Sequence, residues 1–215
     1  MKQDLSDYRK SYEKSELLEK NCLENPMEMF QKWFYEVEKS ETVAEVNAMT
    51  ISTIGLDGFP KSRVVLLKKY TFEGFIFYSN YTSEKGLAIA KNPHVCISFF
   101  WPAMERQIII KGKVEKIAEN LSDGYFESRP RGSQLGAIVS KQSEVVASRE
   151  VLEQQLKDLE AAYEGKEIER PSHWGGYIVK PKEIEFWQGR ANRLHDRIRY
   201  QLQADYSWKI ERLAP

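Results

Sequence analysis

Four arginines and one histidine lie within the fifteen residues FWQGRANRLHDRIRY (186–200), near the C-terminal end of the sequence. The arginine side chain is planar and permanently charged, and its fork of N–H donors matches phosphate and carboxylate groups. The whole chain of 215 residues is nevertheless neutral, with 32 Lys plus Arg and 32 Asp plus Glu. This local concentration of positive charge therefore indicates a binding site for a small anionic ligand.

The second half of this segment, RLHDRIRY (193–200), predicts a strand with two distinct faces, because side chains alternate along a strand. The apolar face, which is expected to lie against the core, carries Leu194, Ile198 and Tyr200. The opposite face carries Arg193, His195, Arg197 and Arg199. A solvated surface is the alternative interpretation, but cations on one small face repel each other unless anions lie between them.

Two further basic elements lie elsewhere in the sequence. The segment RVVLLK (63–68) has a cation at each end, and strict alternation places Arg63 and Lys68 on opposite faces of a strand. Tyr125, Arg129 and Ser133 are spaced by four residues, which makes them neighbours on a helix. Each element alone is compatible with ordinary solvated surface. Three separate basic elements in a neutral chain nevertheless indicate more than one small anionic ligand.

The sequence contains no recognisable catalytic nucleophile, since G-x-S-x-G, the P-loop and G-x-G-x-x-G are absent. Cys22 and Cys96 have no zinc-binding spacing and the three histidines form no metal-binding pair, so we expect no metal site. Neighbouring arginines disfavour a cationic His195, which favours a neutral hydrogen-bonding role. A protein that holds anions without catalytic groups of its own often leaves the chemistry to a cofactor.

The overall charge and hydropathy exclude several classes of protein. A net charge of zero argues against a general binder of nucleic acid or of membrane surfaces. The polar N-terminus lacks the apolar core of a signal peptide, and no apolar run is long enough to span a membrane. Without a disulfide framework, we expect the protein in the cytoplasm.

The elements that must position these residues follow from periodicity. Residues 1–24 are charged and weakly periodic, and we interpret them as a mobile N-terminal arm or a frayed helix. Asn25 and Pro26 supply a helix cap and a first-turn proline, and apolar residues follow at helical spacing to Val37. Further helices are predicted for SEKGLAIAKN, for residues 120–140 with a break at Pro130, and for residues 148–163.

From residue 47 the apolar period changes to two, which predicts strands joined by turns such as Asp57-Gly58 and Glu73-Gly74. The predicted strands are AMTISTI, KSRVVLLKKY, FIFYS, HVCISFFW, RQIIIKGKVEKIA, GGYIVKPKEIEFWQG, RLHDRIRYQ and SWKIERL. Sequential hairpins without alternating βαβ units predict a mainly β, antiparallel sheet curled into a barrel, with flanking helices. We interpret residues 25–215 as a single domain.

Several of these segments together resemble the pyridoxamine 5'-phosphate oxidase family. The resemblance extends from the first helix to the last residue, and the tryptophan-to-arginine segment is its most specific part. Arg9 and Tyr12 match an arginine and a tyrosine of the family's arm. The matching segments are RVVLLK (63–68), FYS (77–79), RQIIIKG (106–112), Y-x-x-x-R-x-x-x-S from Tyr125, KQSE (141–144), HWGGY (173–177), FWQGRANRLHDR (186–197) and the terminal ERLAP.

The resemblance implies an FMN-binding split β-barrel and a homodimer whose two active sites lie at the subunit interface. The expected FMN contacts are Arg63, Val64, Val65, Leu66, Leu67, Lys68, Tyr78, Ser79, Lys85, Gln107, Gln142, Ser143, Trp187 and Arg197. The expected substrate contacts are Lys68, Tyr125, Arg129 and Ser133 around the phosphate, with the catalytic residues Arg193 and His195 at the ring end. Arg9 and Tyr12 of the arm are expected to close over the pocket.

The implied reaction is oxidation of pyridoxamine or pyridoxine 5'-phosphate to pyridoxal 5'-phosphate, with a hydride passing to FMN. Dioxygen is then the electron acceptor and gives hydrogen peroxide, and the amine substrate also gives ammonia. The alternatives are a related split-barrel flavoprotein acting on another substrate and a nucleic-acid-binding barrel. The neutral charge opposes the second alternative.

The sequence departs from the family at one point near the flavin phosphate. Members commonly carry an Arg-Lys pair there, whereas this chain reads Ser83-Glu84-Lys85. A carboxylate cannot donate a hydrogen bond to a phosphate dianion, and an acid in the first turn of a helix is favourable in its own right. We therefore expect Glu84 to point to solvent, leaving Lys85 and Arg63 to hold the phosphate.

Overall fold

The computed structural model describes residues 3–215, so the first two residues of the predicted arm lie outside the described part. Its α-helices are α1 Pro26–Lys39, α2 Glu84–Lys91, α3 Glu119–Glu127, α4 Arg131–Val139 and α5 Arg149–Ala162. Its strands are β1 Ala48–Ile54, β2 Pro60–Leu66, β3 Lys69–Thr71, β4 Gly74–Asn80, β5 His94–Trp101, β6 Arg106–Lys116, β7 Trp174–Gln188, β8 Asp196–Leu202 and β9 Trp208–Leu213. Short 3₁₀ turns span Glu19–Asn21, Pro102–Met104 and Ala191–Arg193.

The strands form one hydrogen-bonded sheet in the order β2-β1-β5-β6-β7-β4-β3, with β8 paired to β7 and β9 paired to β8. The pairs β3–β4, β4–β7, β7–β8 and β8–β9 are all antiparallel. The predicted mainly β, antiparallel architecture with flanking helices is therefore confirmed. None of the helices within residues 3–215 combines the length and the apolar character needed to cross a membrane.

The chain divides into two compact units. We call the first the terminal unit; it comprises the residues up to Met49, Ile97–Lys111 and Pro181–Pro215. We call the second the central unit; it comprises Thr50–Cys96 and Gly112–Lys180. Each unit has its own buried aromatic side chains, and each is described separately below.

Helix α1 supplies the core of the terminal unit, and its start follows the local signals in the sequence. The Asn25 side chain accepts a hydrogen bond from the Met27 N–H, which satisfies one of the free donors of the first turn. Phe30 and Trp33 are buried on one face of the helix. Their rings contact Phe99 and Phe186 at centroid distances of 5.3 and 5.2 Å. The predicted helix is therefore confirmed.

Strand β8 begins at Asp196, three residues later than predicted. The chain turns before it, because Asn192 and Arg193 both adopt left-handed backbone conformations, with φ of 55° and 62°. The turn places Leu194 at the surface, 69% exposed, where the prediction put it against the core. From residue 196 onward the predicted alternation is confirmed, with Ile198 fully buried.

The central unit contains the β1–β2 hairpin turn and helices α2 to α5. The predicted turn is confirmed: the Gly58 N–H donates to the Gly55 carbonyl at 3.0 Å, and Gly58 has a φ of 86° that favours glycine. The break at Pro130 is also confirmed, since α3 ends at Glu127 and α4 begins at Arg131. Helices α3, α4 and α5 pack around a buried cluster of Phe126, Leu135, Ala137, Ile168 and Trp174.

Candidate active site

A cavity of about 760 Å³ in the central unit collects most of the predicted ligand-binding residues. From the predicted FMN contacts, its wall contains Arg63, Val64, Val65, Leu66, Lys68, Tyr78, Ser79, Lys85 and Gln142. From the predicted substrate contacts, its wall contains Tyr125, Arg129 and Ser133 as well as Lys68. The cavity therefore brings residues of β2, β4 and α2 together with residues of α3 and α4, which lie much later in the sequence.

Lys85 provides a buried cation at one part of this cavity. Ser83 caps helix α2 by accepting a hydrogen bond from the Gly86 N–H, which sets the position of the first helical turn. From that turn Lys85 Nζ donates to Gln142 Oε1 at 2.6 Å and to Ser79 Oγ at 3.0 Å. Burial and the nearby Arg63 lower the pKa of Lys85 from 10.5 to about 8. Burial is the main cause of the lowered pKa, and the more distant carboxylate of Glu84 offsets only part of it.

Arg63 is the second cation, and its half-buried side chain also has neutral partners. Its Nη1 donates to Thr53 Oγ1 at 2.8 Å and to the Ile51 carbonyl at 3.4 Å. Burial lowers the pKa of Arg63 as well. Within residues 3–215, neither Arg63 nor Lys85 has a carboxylate at ion-pair distance. Two desolvated cations side by side without an anion favour a site for a phosphate.

Glu84 is exposed, and its carboxylate forms an ion pair that the sequence reasoning missed. Lys61 Nζ lies 2.5 Å from Glu84 Oε2. The Glu84 backbone N–H donates to Ser143 Oγ at 3.2 Å, which joins the start of α2 to the segment that contains Gln142. The Glu84 carboxylate is therefore ion-paired with Lys61, and it acts on Lys85 and Arg63 only at longer range, where it slightly raises the pKa of each.

Arg129 provides a third cation, half-buried next to an aromatic stack. Its guanidinium lies over the Trp174 ring at 4.6 Å, and burial lowers its pKa. The Tyr78 and Tyr125 rings stack at a centroid distance of 3.9 Å, and Trp174 lies 5.5 Å from Tyr78 in a nearly parallel plane. The Nη1 atom of Arg129 is buried without a hydrogen-bond partner. An unpaired buried donor of this kind costs about 1–3 kcal/mol, so an anionic ligand there would be stabilising.

The remaining predicted contacts do not line this cavity. Leu67 is buried in the core, and Ser143 bonds to the start of α2. Seven others belong to the terminal unit, which includes the arm: Arg9, Tyr12, Gln107, Trp187, Arg193, His195 and Arg197. The interpretation of 125–133 as one helix also needs correction, since Arg129 lies in the connection between α3 and α4.

The terminal unit brings three of its predicted residues together in an aromatic cluster. The Tyr12 ring lies 5.8 Å from both the Trp187 ring and the His195 ring, and those two rings are 4.7 Å apart. His195 Nδ1 accepts a hydrogen bond from the Arg190 N–H at 3.1 Å. A ring nitrogen that accepts carries no proton, so this contact fits the predicted neutral role of His195.

Two of the arginines on strand β8 form ion pairs with carboxylates of this chain. Arg197 forms two hydrogen bonds with Glu185, at 2.8 and 3.0 Å, and Arg199 donates to Glu211 at 2.6 Å. The acids lie on β7 and β9, which flank β8 in antiparallel register. The anions expected between these arginines are therefore side chains of neighbouring strands, and the pKa of Arg197 is raised by Glu185.

Sequence reasoning missed several residues of the cavity wall. The missed residues are Asn80, Pro130, Gly136, Ala137, Ser140 and Trp174. Trp174 belongs to HWGGY, one of the segments that carry the resemblance. Its position under Arg129 could not be predicted, because it depends on the packing of β7 against α3. In the part of the chain that the structure describes, no group of three or more His, Cys, Asp or Glu side chains could hold a metal ion.

Comparison with known proteins identifies the family. Residues 36–163 match the family model described as pyridoxamine 5'-phosphate oxidase, and residues 174–215 match the pyridoxine 5'-phosphate oxidase C-terminal dimerisation region. The pyridoxine/pyridoxamine 5'-phosphate oxidase of Flavobacterium psychrophilum is 73% identical over 212 residues, which cover 99% of both chains. The chain belongs to the pyridoxine/pyridoxamine 5'-phosphate oxidase family. It is therefore a member of an oxidoreductase family.

Other relatives support the assignment along the whole chain. The protein of the same name from Christiangramia forsetii is 55% identical over 215 residues and covers 100% of both chains. The crystal structure of PhzG from Burkholderia lata has a TM-score of 0.86 at 27% identity and covers 93% of this chain and 98% of its own. An FMN-binding protein of Nostoc punctiforme has a TM-score of 0.69 at 14% identity, over 88% of this chain and 98% of its own, which shows a shared fold. The predicted split-barrel fold class is confirmed.

Proposed function

We propose that this protein oxidises pyridoxamine 5'-phosphate and pyridoxine 5'-phosphate to pyridoxal 5'-phosphate, with FMN as cofactor and dioxygen as electron acceptor. The main support is the cavity of the central unit, where three partly or fully buried cations have no carboxylate of residues 3–215 at ion-pair distance. Arg63 and Lys85 lie together, while Arg129 belongs to the separate stack on Trp174. Two groups of cations suit two phosphorylated ligands better than one.

The residues at Arg63 and Lys85 fit the phosphate of FMN. Ser79 and Gln142 already accept hydrogen bonds from Lys85, and the Ser79 hydroxyl and the Gln142 amide N–H could donate to the same phosphate. The chemistry that FMN would supply is uptake of a hydride from the C4' carbon of the substrate and reoxidation by dioxygen, with release of hydrogen peroxide. We assign the other expected FMN contacts, including Gln107, Ser143, Trp187 and Arg197, to the flavin on the strength of the resemblance.

The protein's own contribution is to bind, orient and desolvate the substrate. We assign the substrate phosphate to Arg129, with Tyr125, Ser133 and Lys68 as further donors. We assign Arg193 and His195 to the ring end, where His195 would act as a neutral hydrogen-bonding group. Oxidation of the alcohol gives the aldehyde directly, whereas the amine gives an imine that water hydrolyses to the aldehyde and ammonia.

We propose that the protein is a homodimer whose active sites are shared between the subunits. The match of residues 174–215 to a C-terminal dimerisation region supports this proposal. We further propose that residues 25–215 act as one FMN-binding domain, that the arm of residues 1–24 closes over the site, and that the protein is cytoplasmic. Light scattering should give twice the chain mass at assay concentration, and a fully active monomer would overturn the shared site.

A related split-barrel flavoprotein with another substrate is the alternative function. The PhzG crystal structure is a complex with tetrahydrophenazine-1-carboxylic acid, a molecule that has a carboxylate but no phosphate. The unpaired Nη1 of Arg129 favours a ligand with a phosphate, because such a dianion accepts several charged hydrogen bonds.

The deciding experiment compares phosphorylated and unphosphorylated substrates in the FMN-loaded protein. We expect kcat/KM for pyridoxine 5'-phosphate to exceed that for pyridoxine by about a hundredfold or more, since charge-assisted contacts contribute about 1.5–3 kcal/mol each. Arg129→Met should remove most of this preference, whereas the matched control Arg149→Met changes an exposed arginine on α5 and should retain it. Equal rates on both substrates, or turnover only of a reduced phenazine carboxylic acid, would refute the proposal.

A further inference from the structure

Glu105 has two features, a buried carboxylate and an unfavourable backbone conformation, that destabilise a folded protein unless other contacts offset them. The residue is 2% exposed, so its carboxylate is buried. Its backbone is left-handed, with a φ of 54°, which is unfavourable for a residue with a large side chain. A buried carboxylate also requires hydrogen-bond donors. Backbone strain of this kind persists only where surrounding contacts hold the residue in place.

The contacts of the Glu105 carboxylate lead to the N-terminal arm. Its Oε2 accepts hydrogen bonds from two consecutive backbone N–H groups, those of Glu13 at 2.9 Å and Lys14 at 3.0 Å. Lys10 Nζ lies 3.5 Å from the other oxygen. Because the two strong contacts use backbone donors, the attachment depends on the path of the arm rather than on its side chains.

The same residue fixes the surface on which the arm lies. The Glu105 carbonyl accepts a hydrogen bond from the Gly189 N–H at 2.8 Å. A Cβ atom on Gly189 would lie 2.8 Å from Cγ of Tyr12, so only glycine leaves room for this ring. Glu105 therefore binds the arm through its side chain. Its carbonyl binds Gly189, which lies against the Tyr12 ring.

A second buried acid anchors the arm further along. Asp196 Oδ2 accepts a hydrogen bond from the Leu17 N–H at 3.0 Å, and the Leu17 side chain is buried. The arm is thus attached at both ends of a five-residue stretch, and Tyr12 is the residue immediately before it. This arrangement places the Tyr12 ring against Trp187 and His195.

We propose that Glu105 is a positioning residue, which clamps the arm at Glu13 and Lys14 and thereby sets Tyr12 at the His195 end of the substrate. The assignment rests on the proposed function, in which Tyr12 and His195 contact the phosphorylated substrate. Glu105 itself touches the arm and acts on the substrate only through Tyr12.

The test measures the clamp and its effect on the reaction separately. Hydrogen exchange reports on the Glu13 and Lys14 amides in the FMN-loaded protein, and steady-state kinetics with pyridoxine 5'-phosphate reports on the substrate. In Glu105→Ala, both amides should exchange at least about tenfold faster, as expected for loss of a charge-assisted hydrogen bond. The KM should rise by about tenfold or more with a much smaller change in kcat, because a misplaced Tyr12 weakens binding rather than the chemical step.

Two variants control for disruption of the fold. Glu105→Gln keeps an oxygen that can accept both N–H groups, and it should restore most of the protection and of the KM. Glu105→Asn suits the left-handed backbone but is too short to reach the arm, so it should behave like Glu105→Ala without added strain. Glu38→Gln, an exposed acid on α1, should match the unmodified protein in both measurements.

Unchanged exchange at residues 13 and 14 in both Glu105→Ala and Glu105→Asn would overturn the clamp. Faster exchange with an unchanged KM, in a protein whose KM does rise on Tyr12→Ala, would overturn the positioning role. If the unmodified protein oxidises neither phosphorylated substrate, the proposed function fails, and the exchange rates still decide whether Glu105 holds the arm.

Discussion

Replacement of Lys85 by methionine tests whether the cavity is built for an anion. Lys85 is 8% exposed, and its hydrogen-bond partners Ser79, Ser83 and Gln142 are all neutral. Its pKa is lowered from 10.5 to about 8, mainly by burial and then by Arg63. Without an anionic ligand, the folded protein therefore carries the cost of a buried charge that the unfolded chain does not.

The size and the pH range of this cost follow from the two pKa values. A drop from 10.5 to about 8 corresponds to roughly 3 kcal/mol at 1.36 kcal/mol per unit. The penalty is fully present below about pH 8, where Lys85 is charged in both states. It is lost as the pH rises from about 8 towards 10.5, because the folded state releases its proton first. Between about pH 7 and about pH 9, linkage predicts a gain of roughly 1 kcal/mol in the free energy of unfolding from this group.

Urea unfolding of the apoprotein at these two pH values measures the gain. Lys85→Met cannot titrate at this position, so its free energy of unfolding should lack the rise of roughly 1 kcal/mol relative to the unmodified protein. Comparing the two pH values cancels the hydrogen bonds that methionine also loses. Lys91→Met, on the exposed end of α2, should keep the rise. If the free energy of unfolding had the same pH dependence in the unmodified protein and in Lys85→Met, Lys85 would not be a destabilising buried charge, and the reasoning would be refuted.

Three further changes test individual contacts. Glu84→Arg should bind FMN more tightly, with a gain that shrinks as salt rises; titration of the apoprotein with FMN at low and high salt measures it, and weaker binding would contradict the reasoning. Trp174→Leu removes the ring under Arg129 and should weaken inhibition by inorganic phosphate several-fold; an unchanged inhibition constant would show that the ring contributes nothing. Arg197→Ala leaves the buried Glu185 without its two hydrogen bonds and should lower the free energy of unfolding by about 1–3 kcal/mol, measured by urea unfolding, whereas unaltered stability would make the pair irrelevant to folding.

The parts of the fold that could be predicted are those with local signals. The cap at Asn25, the turn at Gly58 and the break at Pro130 each act within a few residues, and each lies where it was expected. The predicted start of β8 was wrong because Asn192 and Arg193 both adopt positive φ. The alternation of apolar residues does not indicate a turn of that kind.

The charge partners could not be predicted, because they depend on the register between strands. Glu211 is opposite Arg199 only because β9 pairs with β8 at that offset, and a shift of one residue would turn either side chain to the other face. The contact between Lys61 and Glu84 likewise joins β2 to α2 across 23 positions of sequence. A sequence pattern reveals that cations are concentrated, whereas tertiary structure determines which of them are already paired.

This distinction separates the cations that are paired within the sheet from those that have no carboxylate at ion-pair distance. The segment that first attracts attention, residues 186–200, contains Arg197 and Arg199, and both are matched by carboxylates of their own sheet. Partly exposed pairs of this kind hold strands in register and balance much of the arginine charge. Arg63, Lys85 and Arg129 are less conspicuous in the sequence, yet burial lowers the pKa of each, and none has an ion-pair partner among residues 3–215. Because a desolvated cation without an ion-pair partner destabilises the fold, its retention at three positions of one cavity supports the proposed binding of phosphorylated ligands.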